Sequence, residues 1–202
     1  MSDLVSPRPL DSVCVFCASS DGIDPAYRQD AALLGKALAE AGIRLVYGGG
    51  DVGLMGACAR AAHEAGGDVL GIIPDFLTGR ERPYAEVETV IVTSMHERKM
   101  MMFENSDAFV VLPGGIGTLE EVIEILSWRR LALHAKPVVF YDPNGFWSAL
   151  FEHFRRMADE GLAPVSFDEN WVATTRIEAV IPALRAALPA GLDAAPGAAE
   201  VT

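Results

Sequence analysis

Short apolar runs recur along the chain, and most are separated by longer stretches in which apolar residues return at the helical period. The runs at Val13 to Cys17, Arg44 to Tyr47, Val69 to Ile73, Glu88 to Thr93, Ala108 to Leu112, Pro137 to Tyr141 and Trp171 to Thr174 predict strands. Helices are predicted at about Pro25 to Glu40, Gly53 to Ala65, Met95 to Asn105, Thr118 to Leu133, Phe146 to Glu160 and Arg176 to Leu188. Gly42, Gly66 and Gly161 stand where a left-handed residue stops a helix. The strands are apolar almost throughout, which suits strands covered on both faces, and their alternation with helices is the mark of βαβ units. The expected fold is therefore a Rossmann-like three-layer α/β/α arrangement with a mostly parallel, twisted sheet of about seven strands.

Other segments carry no such pattern. Asp75 to Glu86 lacks periodicity and holds Arg80, Glu81 and Arg82, so it reads as an exposed excursion. The stretch 189–202 is rich in Ala, Gly and Pro and is expected to be a disordered tail behind one domain spanning 1–188. No internal repeat is visible.

Composition narrows the partners. The chain has 202 residues, half of them hydrophobic, which suffices for one domain with a large core. Its net charge of −12 repels nucleic acid and anionic membranes, so an anionic ligand must be small and locally held. Met1 to Asp11 is polar, without the apolar core of a leader, and no stretch reaches membrane-spanning length; a cytoplasmic protein is expected. Cys14-Val15-Phe16-Cys17 spells C-x-x-C, but it lies in a strand pattern where residues three apart face opposite ways. Those two thiols and Cys58 are expected to be buried and structural.

Two glycine-rich turns hold the candidate chemistry. Gly48-Gly49-Gly50-Asp51-Val52-Gly53 and Pro113-Gly114-Gly115-Ile116-Gly117-Thr118 each follow a strand pattern and open a helix. Glycine permits close backbone approach, and the free amides of a helix N-terminus attract anions, so both turns are candidate phosphate sites. In an open parallel sheet, ligands bind at the carboxyl ends of the strands. That rule gathers Ala18-Ser19-Ser20-Asp21, the Gly48 turn, Ser94-Met95-His96 and the Pro113 turn along one edge. The first turn also matches G-x-G-x-x-G, yet it follows the second strand rather than the first. No acidic residue ends the next strand to hold a ribose, since Asp75 lies beyond Pro74, so a dinucleotide is not expected; close packing of Gly53 and Gly56 against the sheet can coexist with another ligand role.

Two readings of Glu121 are open at this level. Thr118-Leu119-Glu120-Glu121 has capping-box spacing, which makes the carboxylate a helix cap; its place behind the second glycine turn makes it a functional group. Ser94-Met95-His96-Glu97 has the same spacing and reads as a cap. Arg98 and Lys99 fall one turn into a helix that starts at the ligand edge, where an acidic protein needs cations to hold an anion. His63, His96, His134 and His153 lack metal-ligand spacing, so no metal is expected. Met100-Met101-Met102-Phe103 reads as core or subunit interface.

Tyr47-Gly48-Gly49-Gly50 with Gly53-Leu54-Met55-Gly56, then Met95-His96-Glu97-Arg98-Lys99, then Pro113-Gly114-Gly115-Ile116-Gly117-Thr118-Leu119-Glu120-Glu121 closely resemble the LOG (Lonely Guy) family. The resemblance runs from about Val13 to Leu188 and continues through Trp128 and His134-Ala135-Lys136-Pro137. It implies hydrolysis of the N-glycosidic bond of an adenine nucleotide monophosphate, releasing free base and ribose 5-phosphate, with no cofactor. It implies Arg98 and Glu121 as the catalytic pair. Lys99, Gly115, Ile116, Gly117, Thr118 and Glu120 would bind substrate, as would Ser127, where the family usually has threonine, and Glu81. Ser20 and Gly49, from two of the edge loops, complete the expected substrate contacts. The first loop reads Cys17-Ala18-Ser19-Ser20 where Cys-Gly-Ser-Ser is usual, leaving its backbone conformation open. A homodimer is expected by the same resemblance.

Two other functions compete. A non-catalytic carrier or sensor of a nucleotide-derived ligand, similar to molybdenum-cofactor carrier proteins, needs the glycine loops but no paired Arg and Glu. A pyridoxal-phosphate lysine decarboxylase needs a Schiff-base lysine, and Lys36, Lys99 and Lys136, the only lysines, have no such setting in the sequence.

Overall fold

Strands β1 (Ser12–Phe16), β2 (Arg44–Tyr47), β3 (Val69–Pro74), β4 (Glu88–Val92), β5 (Ala108–Val111), β6 (Val138–Tyr141) and β7 (Val172–Thr174) form one sheet in the order β4-β3-β2-β1-β5-β6-β7. Every pairing is parallel. The computed structural model describes residues 9–189, so the expected tail falls, apart from its first residue, outside the described residues.

Helices α1 (Pro25–Glu40), α2 (Gly53–Glu64) and α7 (Val180–Ala187) cover one face of the sheet. On the other face lie α4 (Met95–Glu104), α5 (Ile116–Arg130) and α6 (Ser148–Asp159). Strand alternation feeds both layers: Val13, Val15 and Cys17 pack with α1 and α2, while Cys14 and Phe16 pack with Val122, Leu126 and Phe140. α1 and α2 touch backbone to backbone. A Cβ on Gly35 would lie 2.1 Å from the Cys58 carbonyl oxygen, so only glycine fits there.

From β1 the chain builds the sheet in one direction through β2, β3 and β4, then returns to the other side of β1 for β5, β6 and β7. The carboxyl ends of β1 and β5 therefore flank the reversal in strand order, where open α/β sheets form their ligand crevice. Two hydrogen bonds fasten its walls: Leu112 N–H donates to the Phe16 carbonyl at 2.9 Å, and Ala18 N–H to the Pro113 carbonyl at 3.2 Å.

Several boundaries differ from expectation. The excursion contains a 3-10 turn at Asp75–Leu77 and a single helical turn, α3 (Thr78–Glu81), whose sequence has no apolar period to betray it. The helix expected from Thr118 starts at Ile116, and the last one is preceded by a 3-10 turn at Ile177–Ala179. Gly42, Gly66 and Gly161 have φ of 68°, 77° and 75°, as a left-handed helix stop requires. Ala18 does not adopt a positive φ, so alanine is accommodated in the first loop without strain. Among the described residues no helix is long and apolar enough to cross a membrane.

Cys14 and Cys17 face opposite layers, and all three cysteines are buried and unpaired. Burial pushes the Cys58 thiol up to about 12 and holds Cys14 and Cys17 well above the ordinary thiol value. The native protein is therefore expected to leave a thiol reagent at pH 8 unconsumed until denaturant is added. Rapid labelling of the folded chain contradicts this packing.

Candidate active site

A cavity of about 260 Å³ opens between the carboxyl ends of β1 and β5. Its walls come from the loop 17–20, Glu81 of α3, Arg98 of α4 and the start of α5, with Met55 and Met95 as apolar floor. Each element contributes by a different local device.

The α5 end is an open amide cradle. Gly115 caps the helix without a side-chain bond, and the first helical hydrogen bond is Leu119 N–H to the Gly115 carbonyl, at 3.0 Å. Among the described residues no protein acceptor takes the amides of Ile116, Gly117 or Thr118. These line the cavity at the positive end of a long helix, the local setting that binds phosphate. The Thr118 side chain folds back under the turn, where a Cβ on Gly114 would lie 2.1 Å from its hydroxyl.

The earlier start of α5 removes the capping-box reading. Thr118 is its third residue rather than its N-cap, and Glu121 lies one turn in, 5% exposed. Burial raises the Glu121 carboxyl from an ordinary 4.5 to about 7; the charges of Glu120 and Glu81 push the same way, while Arg98 and Lys99 pull it down. Glu97, by contrast, is a cap. Its amide donates to Ser94 Oγ at 3.1 Å, and its carboxylate accepts from the Thr93 amide at 2.8 Å.

Arg98 is 4% exposed, so its charge needs fixed partners. Nε donates to the Ile72 carbonyl at 3.1 Å and Nη2 to the Gly48 carbonyl at 2.9 Å. Nη1 has a weak neighbour, the Met95 sulfur at 4.0 Å. Glu81 Oε2 lies 3.9 Å from Nη2.

Glu81 is delivered by a strained turn. The Asp51 amide donates to the carbonyls of Glu81 at 3.0 Å and Arg82 at 2.9 Å, Arg82 has a φ of 42°, and Pro83 bridges Gly50. Ser19 Oγ donates to Glu81 Oε1 at 3.1 Å, and Oε2 is buried without a hydrogen-bond partner.

The Gly48 turn does not line the cavity. The amides of Leu54 and Met55, which open α2, donate to the Ala18 carbonyl at 2.9 and 3.3 Å, so this N-terminus is filled from within. Gly49 has a φ of 81°, packs against Ile72 and Ile73, and stays outside the cavity. The turn instead holds Arg98 and the Glu81 segment. Sequence reasoning missed this because the partners are backbone carbonyls and amides, which no side-chain type announces.

Of the other expected substrate contacts, Ser20, Gly115, Ile116, Gly117, Thr118 and Glu120 line the cavity. Lys99 does not; its ammonium is bound to Glu120 and, at 3.0 Å, to Glu124. Ser127 is exposed further along α5, outside the cavity formed by one chain. Among the described residues no group of His, Cys, Asp and Glu is arranged to hold a metal.

An all-parallel sheet whose strand-order reversal carries a helix-amide cradle beside a buried carboxyl and a buried guanidinium defines a Rossmann-like protein built for a small phosphorylated ligand. The family model described as "Possible lysine decarboxylase" matches residues 55–184. The probable cytokinin riboside 5′-monophosphate phosphoribohydrolase LOGL9 of Oryza sativa subsp. japonica is 43% identical over 178 residues, 88% of this chain and 78% of that protein. LOG7 of Arabidopsis thaliana, a cytokinin riboside 5′-monophosphate phosphoribohydrolase, is 45% identical over 150 residues, 74% of this chain and 69% of that protein. The chain belongs to this LOG family. The Moco carrier protein of Chlamydomonas reinhardtii, 22% identical, shares its fold with a TM-score of 0.67 over 89% of this chain and 98% of that one.

The decarboxylase description does not suit the cavity. Lys36 stands on α1, Lys99 is paired with carboxylates, and Lys136 Nζ donates to the Phe103 carbonyl; none lines the cavity to form a Schiff base.

Two outcomes follow from this geometry. A Cβ at residue 48 would lie 2.1 Å from Arg98 Nη2, so Gly48→Ala is expected to destabilise the fold by about 1–3 kcal/mol in urea unfolding. Gly79→Ala, with open space around it, should change little. The raised carboxyl of Glu121 opposes folding once pH passes its ordinary value, and the penalty is complete above its folded value of about 7. Glu121→Gln should therefore gain stability over the parent by up to about 3 kcal/mol at pH 8 and almost none at pH 4. An equal gain at both pH values contradicts a buried, desolvated carboxyl.

Proposed function

We propose that this chain hydrolyses the N-glycosidic bond of adenosine 5′-monophosphate or its N6-prenylated cytokinin counterpart, giving free base and ribose 5-phosphate. The observation that carries the reading is the meeting of Glu121, Arg98 and the open α5 amides in one cavity. The relatives' names supply the reaction class.

The phosphate is held by the amides of Gly117 and Thr118, at the positive end of α5. Rupture of the C1′–N bond leaves positive charge on the sugar. A carboxylate shielded from water stabilises that charge strongly, and Glu121, 5% exposed, is the carboxyl so placed. Water adds to C1′, one of its protons passes to Glu121, and the purine leaves with the bond's electron pair and takes up a proton from solvent, to which Glu121 later returns its own. Arg98 supplies a fixed positive charge that draws the anionic substrate inward and keeps part of Glu121 ionised near neutral pH.

Glu81 Oε2, buried without a hydrogen-bond partner, is an acceptor for a sugar hydroxyl. The cavity is slightly smaller than the ~300 Å³ at which sites for drug-sized ligands begin, so it suits the sugar phosphate, with the base toward the mouth. There Ile116 is 84% exposed, and a second copy of the chain covering the mouth gives the expected homodimer a functional reason. A cytoplasmic setting completes the reading.

Incubation with AMP, and in parallel with isopentenyladenosine 5′-monophosphate, is expected to release free base and ribose 5-phosphate. Turnover should rise with pH through about 7 as Glu121 ionises. Glu121→Gln should keep nucleotide binding and lose at least about a hundredfold in kcat. Binding without release of base from either substrate favours a carrier, and near-parental turnover in Glu121→Gln removes Glu121 from the chemistry.

A further inference from the structure

The dipeptides Arg98-Lys99 on α4 and Glu120-Glu121 on α5 divide their labour. Arg98 and Glu121 are buried in the cavity, whereas Glu120 stands half exposed at its wall and meets Lys99, which does not line it and whose ammonium also reaches Glu124 one turn further along α5. One turn beyond Lys99, Phe103 packs edge-on against Trp128 with ring centroids 5.2 Å apart. Lys99 and Phe103 thus form two rungs between the helices, at the same four-residue interval as Glu124 and Trp128. The apolar rung lies away from the cavity and the ionic rung beside it.

We propose that Lys99 is a positioning residue: by clamping Glu120 and Glu124 it fixes α5 against α4 and so sets Glu121 opposite Arg98. The proposal rests on the hydrolase reading of the site and deepens it, since Lys99 then acts through the two catalytic side chains rather than on the substrate.

The clamp is suited to that task. The Lys99 side chain is 14% exposed, and although burial works against the charge, the hydrogen bonds its ammonium donates to Glu120 and Glu124, together with their charges, hold Lys99 above its ordinary value. Glu120 is half exposed, so the pair is worth little to global stability, and its effect falls on alignment. Misplacement by about 1 Å at a reacting centre is enough to cost up to about a hundredfold in rate.

The charges facing Glu121 are Arg98 and Lys99 from α4, Glu120 on its own helix and Glu81 from α3, with the neutral thiols of Cys14 and Cys17 on the sheet side. Breaking the clamp from either end therefore moves Glu121 in opposite directions. Loss of Lys99 raises its midpoint and loss of Glu120 lowers it.

The test compares Lys99→Met, Lys99→Arg and Glu120→Gln on AMP across pH 5 to 9. A positioning role predicts that Lys99→Met lowers kcat about tenfold with KM within about threefold, and moves the pH midpoint upward. Glu120→Gln should move that midpoint downward, and Lys99→Arg, which keeps a cation between Glu120 and Glu124, should recover most of kcat. A rise in KM of about tenfold or more in Lys99→Met with kcat unchanged assigns Lys99 to the substrate and overturns the clamp. The titration of Glu121, followed in the same proteins by carboxyl carbon NMR, stands apart from turnover. If the parent cleaves no nucleotide, the hydrolase reading fails. The clamp then still requires the opposite midpoint shifts, and unchanged midpoints refute it.

Discussion

Arg98 carries a full positive charge at a position almost closed to water, and the cleft is arranged around that charge. An unpartnered ion there costs several kcal/mol even after relaxation. Two backbone carbonyls, Ile72 at the end of β3 and Gly48 after β2, meet it with fixed geometry. The consequences spread along the strand ends. A side chain at residue 48 would displace the guanidinium from its carbonyls, the turn must aim its own carbonyl inward, and the amide at Asp51 is left to hold the segment that presents Glu81. Glu121 is itself almost closed to water, so its carboxyl is raised by burial and drawn back by the guanidinium to a value near neutrality. A group balanced in that way can change its proton at physiological pH, which is what an acid-base residue needs.

The two glycine turns show how the same residue types serve different ends. Both precede helices at the carboxyl edge of the sheet, and both permit close backbone approach. The difference lies in what meets the first amides of the helix. At α2 the Ala18 carbonyl takes the amides of Leu54 and Met55, which locks the first loop to the second turn. At α5 no protein group takes that place among the described residues, and the amides face the cavity. Glycine spacing is thus a statement about backbone freedom, and the function of the turn is decided by its neighbours.

That distinction marks how far the sequence could be read. Strands buried on both faces and helices with glycine stops, such as the one ended by Gly42, leave a strong periodic signal, and their order foretold a parallel sheet with its loops on one edge. α3 left none, because Thr78-Gly79-Arg80-Glu81 folds as a single turn held by backbone bonds from Asp51. Within the site, Arg98 was legible from its place one turn into a helix at the ligand edge, and Glu121 from the glycine turn before it. The holders of Arg98 were not, since carbonyl oxygens belong to every residue. The capping-box spacing at Thr118 pointed to an ordinary helix cap, and only the true start of the helix at Ile116 frees Glu121 from that role. Lys99, adjacent to Arg98 in sequence, points away from the cavity because α4 turns successive side chains through about 100°.

The most direct test of the central claim, that one cavity joins a helix-amide phosphate cradle to the Arg98 and Glu121 pair, is a crystal structure of the protein with ribose 5-phosphate bound. The predicted result has phosphate oxygens within hydrogen-bond distance of the Gly117 and Thr118 amides and C1′ facing the Glu121 carboxyl. Phosphate seated instead on the Gly48 turn, or a sugar held with C1′ remote from Glu121, contradicts it.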